Sequence, residues 1–175
     1  MGELTKLSTG EILRAVNHDF INQLQLIKMN LDLNRIEDAK KHIENYCNQY
    51  RVYSNLNKLN WPKTVEWVQT FRYRFPSIEF LLKSNVTMTP KVKKDGETVE
   101  YLEETIQHVY AHLDPYTEPQ LLMEVKANEE MVNIIFDLQG KWDVEPFHSD
   151  VNRQLKVITE KETNHEWKYV LTIKE

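Results

Sequence analysis

Thr9-Gly10-Glu11-Ile12-Leu13-Arg14-Ala15-Val16-Asn17-His18-Asp19-Phe20-Ile21-Asn22-Gln23-Leu24-Gln25-Leu26-Ile27-Lys28-Met29-Asn30-Leu31 is the stretch from which the rest of the chain is read. Leu13, Val16, Phe20, Leu24, Ile27 and Leu31 stand 3, 4, 4, 3 and 4 residues apart, the repeat of one face of an α-helix. The pattern breaks around Asn34. It resumes with Ile36, Ala39, Ile43, Tyr46, Tyr50 and Tyr53 at intervals of 3, 4, 3, 4 and 3, which predicts a second helix and an antiparallel hairpin. A lone hairpin leaves much of each apolar face uncovered. Pairing with a twin copy is the simplest cover, so burial predicts a homodimer built on a four-helix bundle.

At about 100° per residue, the apolar stripe centres roughly opposite His18 on the helical wheel. The imidazole should therefore face solvent. Arg14 and Asn22 lie one turn either side of it, and Glu11, Gln25 and Met29 continue the same accessible face, a strip on which a protein partner can dock. Imidazole, with an unperturbed pKa of about 6.5, offers a neutral nucleophilic nitrogen at cellular pH without a dedicated base. Phosphoryl transfer has a loose transition state, so its catalysis is chiefly positioning and charge neutralisation, and a sparse site suffices. Asn22 can donate a hydrogen bond toward a phosphoryl group, and Arg14 can offer charge. Asp19, adjacent to His18, is off its face and reads as a surface or partner contact, with orienting a ring nitrogen as the alternative.

Trp61-Pro62 ends the second helix, since proline cannot continue one and biases its predecessor toward an extended shape. That places a boundary between a helical module over 1–60 and an α/β module over 61–175. The second reads as helix over 64–74, strand over 78–83, helix over 96–113, paired strands over 120–126 and 131–139, a short helix over 149–155, and a terminal hairpin over 156–162 and 166–174. The fold class is α+β. Residues 1–60 hold eight Lys/Arg against seven Asp/Glu (+1), leaving 14 against 20 (−6) for the remainder.

A net charge of −5 works against a nucleic-acid footprint, and Trp61, Trp67, Trp142 and Trp167 are scattered without interleaved basic residues, so they read as packing residues. The single cysteine, Cys47, fits a reducing compartment. With neither an export signal at the start nor an apolar run long enough to span a bilayer, the expectation is a cytoplasmic protein without membrane or nucleic-acid contact. His108, His112 and Asp114 have ligand spacing, but Val109 stands where a zincin has Glu, so no metal site is expected. Tyr46, Tyr50 and Tyr53 read as bundle core or rim, and Lys91, Lys93 and Lys94 beside Asp95-Gly96 as a solvated turn.

The run His18-Asp19-Phe20-Ile21-Asn22-Gln23-Leu24 through Leu31 resembles the phosphoacceptor helix of the sporulation initiation phosphotransferase B family; a shorter form, His-Asp/Glu-aromatic-x-Asn-x-Leu, also occurs in citrate-type sensor histidine kinases. The resemblance implies a dimeric four-helix bundle followed by a degenerate α/β sandwich like a histidine-kinase ATP-binding domain. It implies that His18 takes a phosphoryl group from an aspartyl-phosphate of a single-domain response regulator and passes it to an aspartate of a second, the sporulation transcription regulator. Both receiver domains bring their own Mg²⁺, and the chain needs no cofactor of its own. Asn17 departs from the family, where a basic residue is frequent; Arg14 is the nearest substitute.

Kinase domains of this type need glycine-rich segments that close over phosphates. This chain has four glycines, Gly2, Gly10, Gly96 and Gly140, and Asp137-Leu138-Gln139-Gly140 is at most a remnant of an Asp-x-Gly-x-Gly site. Autophosphorylation from ATP is not expected. The alternatives are an ATP-dependent sensor-type kinase core, distinguished by nucleotide binding, and a non-enzymatic dimeric adaptor, distinguished by docking that does not require the imidazole.

Overall fold

Ser8 starts the first helix. Its hydroxyl accepts from the Glu11 amide at 3.3 Å, and the Glu11 carboxylate accepts from the Ser8 amide at 2.8 Å, a reciprocal capping box. The computed structural model describes residues 8–145 and 155–174. Along the chain they form α1 (Thr9–Asp32), α2 (Ile36–Asn57), α3 (Pro62–Arg74), β1 (Glu79–Val86), α4 (Asp95–Tyr110), β2 (Gln120–Ala127), β3 (Met131–Gln139), β4 (Lys156–Glu162) and β5 (Glu166–Lys174). The chain divides into two units, one running to Ser54 and the other from Asn55 onward.

In the first unit, α1 and α2 are joined through Asn34, which takes φ 56°. The Arg35 amide donates to the Asn30 carbonyl at 2.7 Å and the Asn34 amide to Leu31 at 3.0 Å, the paired bonds by which a left-handed residue closes a helix end. Asn30 and Ala39 are the buried residues of this end, and the Asn30 amide donates back to the Leu26 carbonyl. The apolar stripe read from the sequence is only partly used within the chain. Val16 and Ile27 are half-buried, whereas Leu13, Phe20, Leu24 and Leu31 remain 56%, 46%, 50% and 48% exposed. The half-buried positions of α1 include Ile12, Val16, Asp19, Gln23 and Ile27, a row centred about 60° round the helix from the stripe and sharing Val16 and Ile27 with it. Tyr46 is half-buried, with its ring centroid 6.4 Å from Phe20, and Tyr50 is exposed.

The second unit is a five-stranded sheet in the order β1-β2-β3-β5-β4 with α3 and α4 packed together on one face. β1 pairs parallel with β2, and every other neighbour is antiparallel. The parallel pair is reached through α4, as a parallel pair requires a crossover. Residues of β2, β3 and β5 alternate between buried and half-buried, so one face carries the core: Leu121, Met123, Phe136, Leu138, Trp167, Tyr169, Leu171 and Ile173. Against it α4 buries Tyr101, Leu102, Thr105, Ile106 and Val109, and Tyr101 meets Tyr169 edge to face at 5.3 Å. Burial holds the Tyr169 phenol well above its ordinary pKa, and its hydroxyl donates to Thr105.

α3 begins at Pro62, two residues before the sequence reading, because proline suits the first helical position. Trp61 gives it no side-chain cap. Asp95 does so from the start of α4, accepting from the amides of Lys63 and Thr64 at 2.9 and 2.8 Å and from the Thr64 hydroxyl at 2.8 Å. All four tryptophans are buried, as packing residues. The short helix expected over 149–155 lies, but for Leu155, outside the described residues.

Candidate functional site

The capping box fixes where α1 begins, and ten residues on His18 projects from it with its side chain 74% exposed. One neighbour on the helix holds this ring and a second approaches it. Asn22 Nδ2 donates to His18 Nδ1 at 3.1 Å, and Asp19 Oδ1 stands 3.9 Å from the same nitrogen. The structure thus brings Asp19, which the wheel put off the His18 face, to the ring nitrogen it shares with Asn22. Nδ1 is held toward the helix, leaving Nε2 as the outward nitrogen.

Arg14, Asn17, Gln25 and Met29 are all exposed on α1. Glu11 is also exposed, but its carboxylate is engaged by Ser8, whose backbone and side-chain hydrogen bonds hold it below the ordinary carboxylate pKa. Three apolar residues were not singled out from the sequence. Ile21, Leu26 and Leu33 are exposed, and Leu26, Met29 and Leu33 at spacings of 3 and 4 continue the line of His18 and Asn22 toward the hairpin turn. The signal was a second helical repeat, overshadowed by the stronger stripe on the other side.

Asp137 is half-buried near the end of β3, and its neighbour Gly140 is needed for packing. A Cβ on Gly140 would stand 2.9 Å from Pro119 Cβ. Beyond it lies a cavity lined by Trp142, Asp143, Val144, Glu145, Glu162, Thr163 and Asn164. Three carboxylates and no cation or glycine make a poor cradle for phosphates. His108 Nε2 bonds the Glu145 carbonyl, His112 Nδ1 the His108 carbonyl, and Asp114 pairs with Lys141. Among the described residues no three His, Cys, Asp or Glu side chains gather to hold a metal, and no helix is long and apolar enough to cross a membrane.

Residues 5–59 match the family model of the sensor kinase SpoOB-type, alpha-helical domain. The hairpin is similar to the SpoOB-type helical domain. The match covers 55 of the 175 residues and is confined to the helical module. No curated protein sequence matches the chain. Solved structures similar to it include the Acinetobacter baumannii histidine kinase AdeS, at 9% identity over 90% of this chain and 97% of that one, TM-score 0.43. Another is the Erythrobacter litoralis EL346 blue-light activated histidine kinase, at 12% identity over 99% and 62%, TM-score 0.46. A third is the histidine kinase ThkA in complex with the response regulator protein TrrA, at 15% identity over 94% and 61%, TM-score 0.43. The matched segment carries His18, Asp19 and Asn22, and the α/β unit follows it.

Proposed function

We propose that this protein is a phosphorelay histidine phosphotransferase that receives a phosphoryl group on His18 from an aspartyl-phosphate of a single-domain response regulator and passes it to an aspartate of a second. The observation that carries this reading is an exposed imidazole whose Nδ1 is held by Asn22 and approached by Asp19, on a hairpin similar to the SpoOB-type helical domain. With Asn22 donating to Nδ1, the neutral ring bears its proton on Nε2. Transfer needs that proton on Nδ1, where Asp19 takes its hydrogen bond and balances the positive charge the ring gains. The freed lone pair of Nε2 then attacks phosphorus. The N–P bond forms as the P–O bond to the donor carboxylate breaks, and the reverse step delivers the group to the second aspartate.

Arg14 lies one turn before His18 and supplies charge toward the phosphoryl oxygens, as Asn17 does not. Mg²⁺ for the remaining charge comes with the partner's receiver domain. Leu26, Met29 and Leu33, in line below the imidazole, give a receiver an apolar footing, and Gln25 a polar one. The opposite stripe of Leu13, Phe20, Leu24 and Leu31 is half-exposed in a single chain, and a second copy covers it to make a homodimeric bundle. The packing role of Gly140 and the acidic cavity beyond it support a relay without an ATP step. The protein works in the cytoplasm, where single-domain regulators are found. Sporulation is the process the family resemblance suggests.

The test is transfer of labelled phosphate from a phosphorylated single-domain regulator, without ATP, to the unsubstituted chain and to His18→Ala. Label on the unsubstituted chain alone, moving on to a second regulator, is the expected result. Label on both forms, or on neither, overturns the reading.

A further inference from the structure

The two edges of the sheet are built differently. β4 shifts register between Thr159 and Lys161 and carries lysines at 156 and 161, features by which edge strands avoid further pairing. β1 runs from Glu79 to Val86 with unbroken register against β2 and no proline. Glu79 N donates to the Pro119 carbonyl at 2.9 Å and Thr87 N to Ala127 at 3.0 Å. Odd-numbered residues between them therefore turn their backbone groups to β2, and even-numbered ones turn theirs outward. Val86, the last outward residue, is closed by Asn55, whose Oδ1 accepts from its amide at 2.7 Å and whose Nδ2 donates to its carbonyl at 3.3 Å. Among the described residues nothing closes Phe80 or Leu82 in this way.

The side chains beside this open edge follow a pattern. Glu79, Leu81 and Lys83 lie on one face of β1 and all are exposed, Leu81 by 41%. Glu79 bonds the Gln120 amide through one oxygen, and Lys83 forms no ion pair among the described residues. An edge lysine alone discourages pairing, but acid, leucine and lysine at alternate positions read as their own complement when the strand is reversed.

We propose that β1 pairs antiparallel with β1 of a second copy about a two-fold axis at Leu81, so that one sheet runs through two protomers. Glu79 then faces the partner subunit's Lys83, Lys83 faces the partner subunit's Glu79, and Leu81 meets the partner subunit's Leu81. Phe80 and Leu82 exchange hydrogen bonds with the partner subunit's Leu82 and the partner subunit's Phe80, closing about four backbone bonds. Each copy contributes the same patch, the condition for a closed two-fold interface. This surface belongs to the α/β unit and shares no residue with the apolar stripe of α1, so the inference is independent of phosphotransfer.

The experiment uses the full chain with Cys47→Ser and a cysteine placed on the axis by Leu81→Cys. Facing residues of this kind have Cα atoms about 4.5 Å apart, within disulfide reach. Mild oxidation is expected to give a covalent dimer. Lys83→Cys, displaced from the axis, is expected to give none. In the Leu81→Cys chain, adding Glu79→Lys or Lys83→Glu puts like charges opposite one another twice and lowers the cross-linking yield about tenfold. When those two variants are mixed, the lysine introduced in one copy faces the glutamate introduced in the other, and the yield is restored. Failure of Leu81→Cys to cross-link, equal cross-linking by Lys83→Cys, or a mixture no better than its components overturns the proposal.

Discussion

Asn22 Nδ2 meets His18 Nδ1 at 3.1 Å across one turn of α1, and it is the only side-chain hydrogen bond that fixes the ring among the described residues. Removing it by Asn22→Ala leaves the imidazole exposed but free to rotate. Phosphoryl transfer should slow about tenfold, the loss of roughly one hydrogen bond from the Asn22 amide to the phosphoryl group once Nδ1 is protonated and no longer accepts it, while His18→Ala abolishes it. Asp19→Asn, which keeps shape and loses charge, should slow it by about the same factor. Single-turnover transfer from a labelled regulator reads both. Unchanged rates would remove Asn22 and Asp19 from the site.

Asp95 stands in for a cap that α3 lacks. Asp95→Ala leaves the amides of Lys63 and Thr64 without their acceptor. Urea unfolding should show a loss of about 1–2 kcal/mol, the usual worth of an N-cap. Since Asp95 lies far from His18 in sequence and in the other unit, transfer measured below the transition should be unaffected.

The start of α1 should depend on pH through Glu11. Its hydrogen bonds to Ser8 lower its folded pKa, so the stabilisation is present above the ordinary carboxylate range and is lost as pH falls through the lowered value. Amide exchange in the first turn of α1 should accelerate with acid over that window relative to the middle of the helix. Glu11→Gln should flatten the dependence.

Gly140 should not tolerate a side chain. Gly140→Ala forces a Cβ against Pro119 and should cost about 1–3 kcal/mol. Thermal or urea unfolding measures it; an unchanged midpoint would show that the turn gives way freely.

Much of this was legible in the residues. β3 and β5 fell on the spans read from alternation, because strands that bury one face announce it every second residue, and β4, which is mostly exposed, fell on the span set by the turn before β5. α1 and α2 followed from helical spacing, and the exposure of His18 from its position opposite the stripe. The edge position of β1 and its parallel pairing with β2 were not, since nothing local in Glu79–Val86 names a partner across α4. The cap that Asp95 places on α3 was hidden for the same reason. The stripe of α1 was seen, but not that the hairpin itself would pack along a row containing Asp19 and Gln23, because polar residues half-buried at a seam carry no apolar signal.

The parallel pairing of β1 with β2 sets an order of events on the ribosome. Contacts within the α1–α2 hairpin are local, whereas Glu79 must wait for Gln120, 41 residues later, before its strand has a neighbour. The hairpin therefore emerges and folds while the sheet is still incomplete.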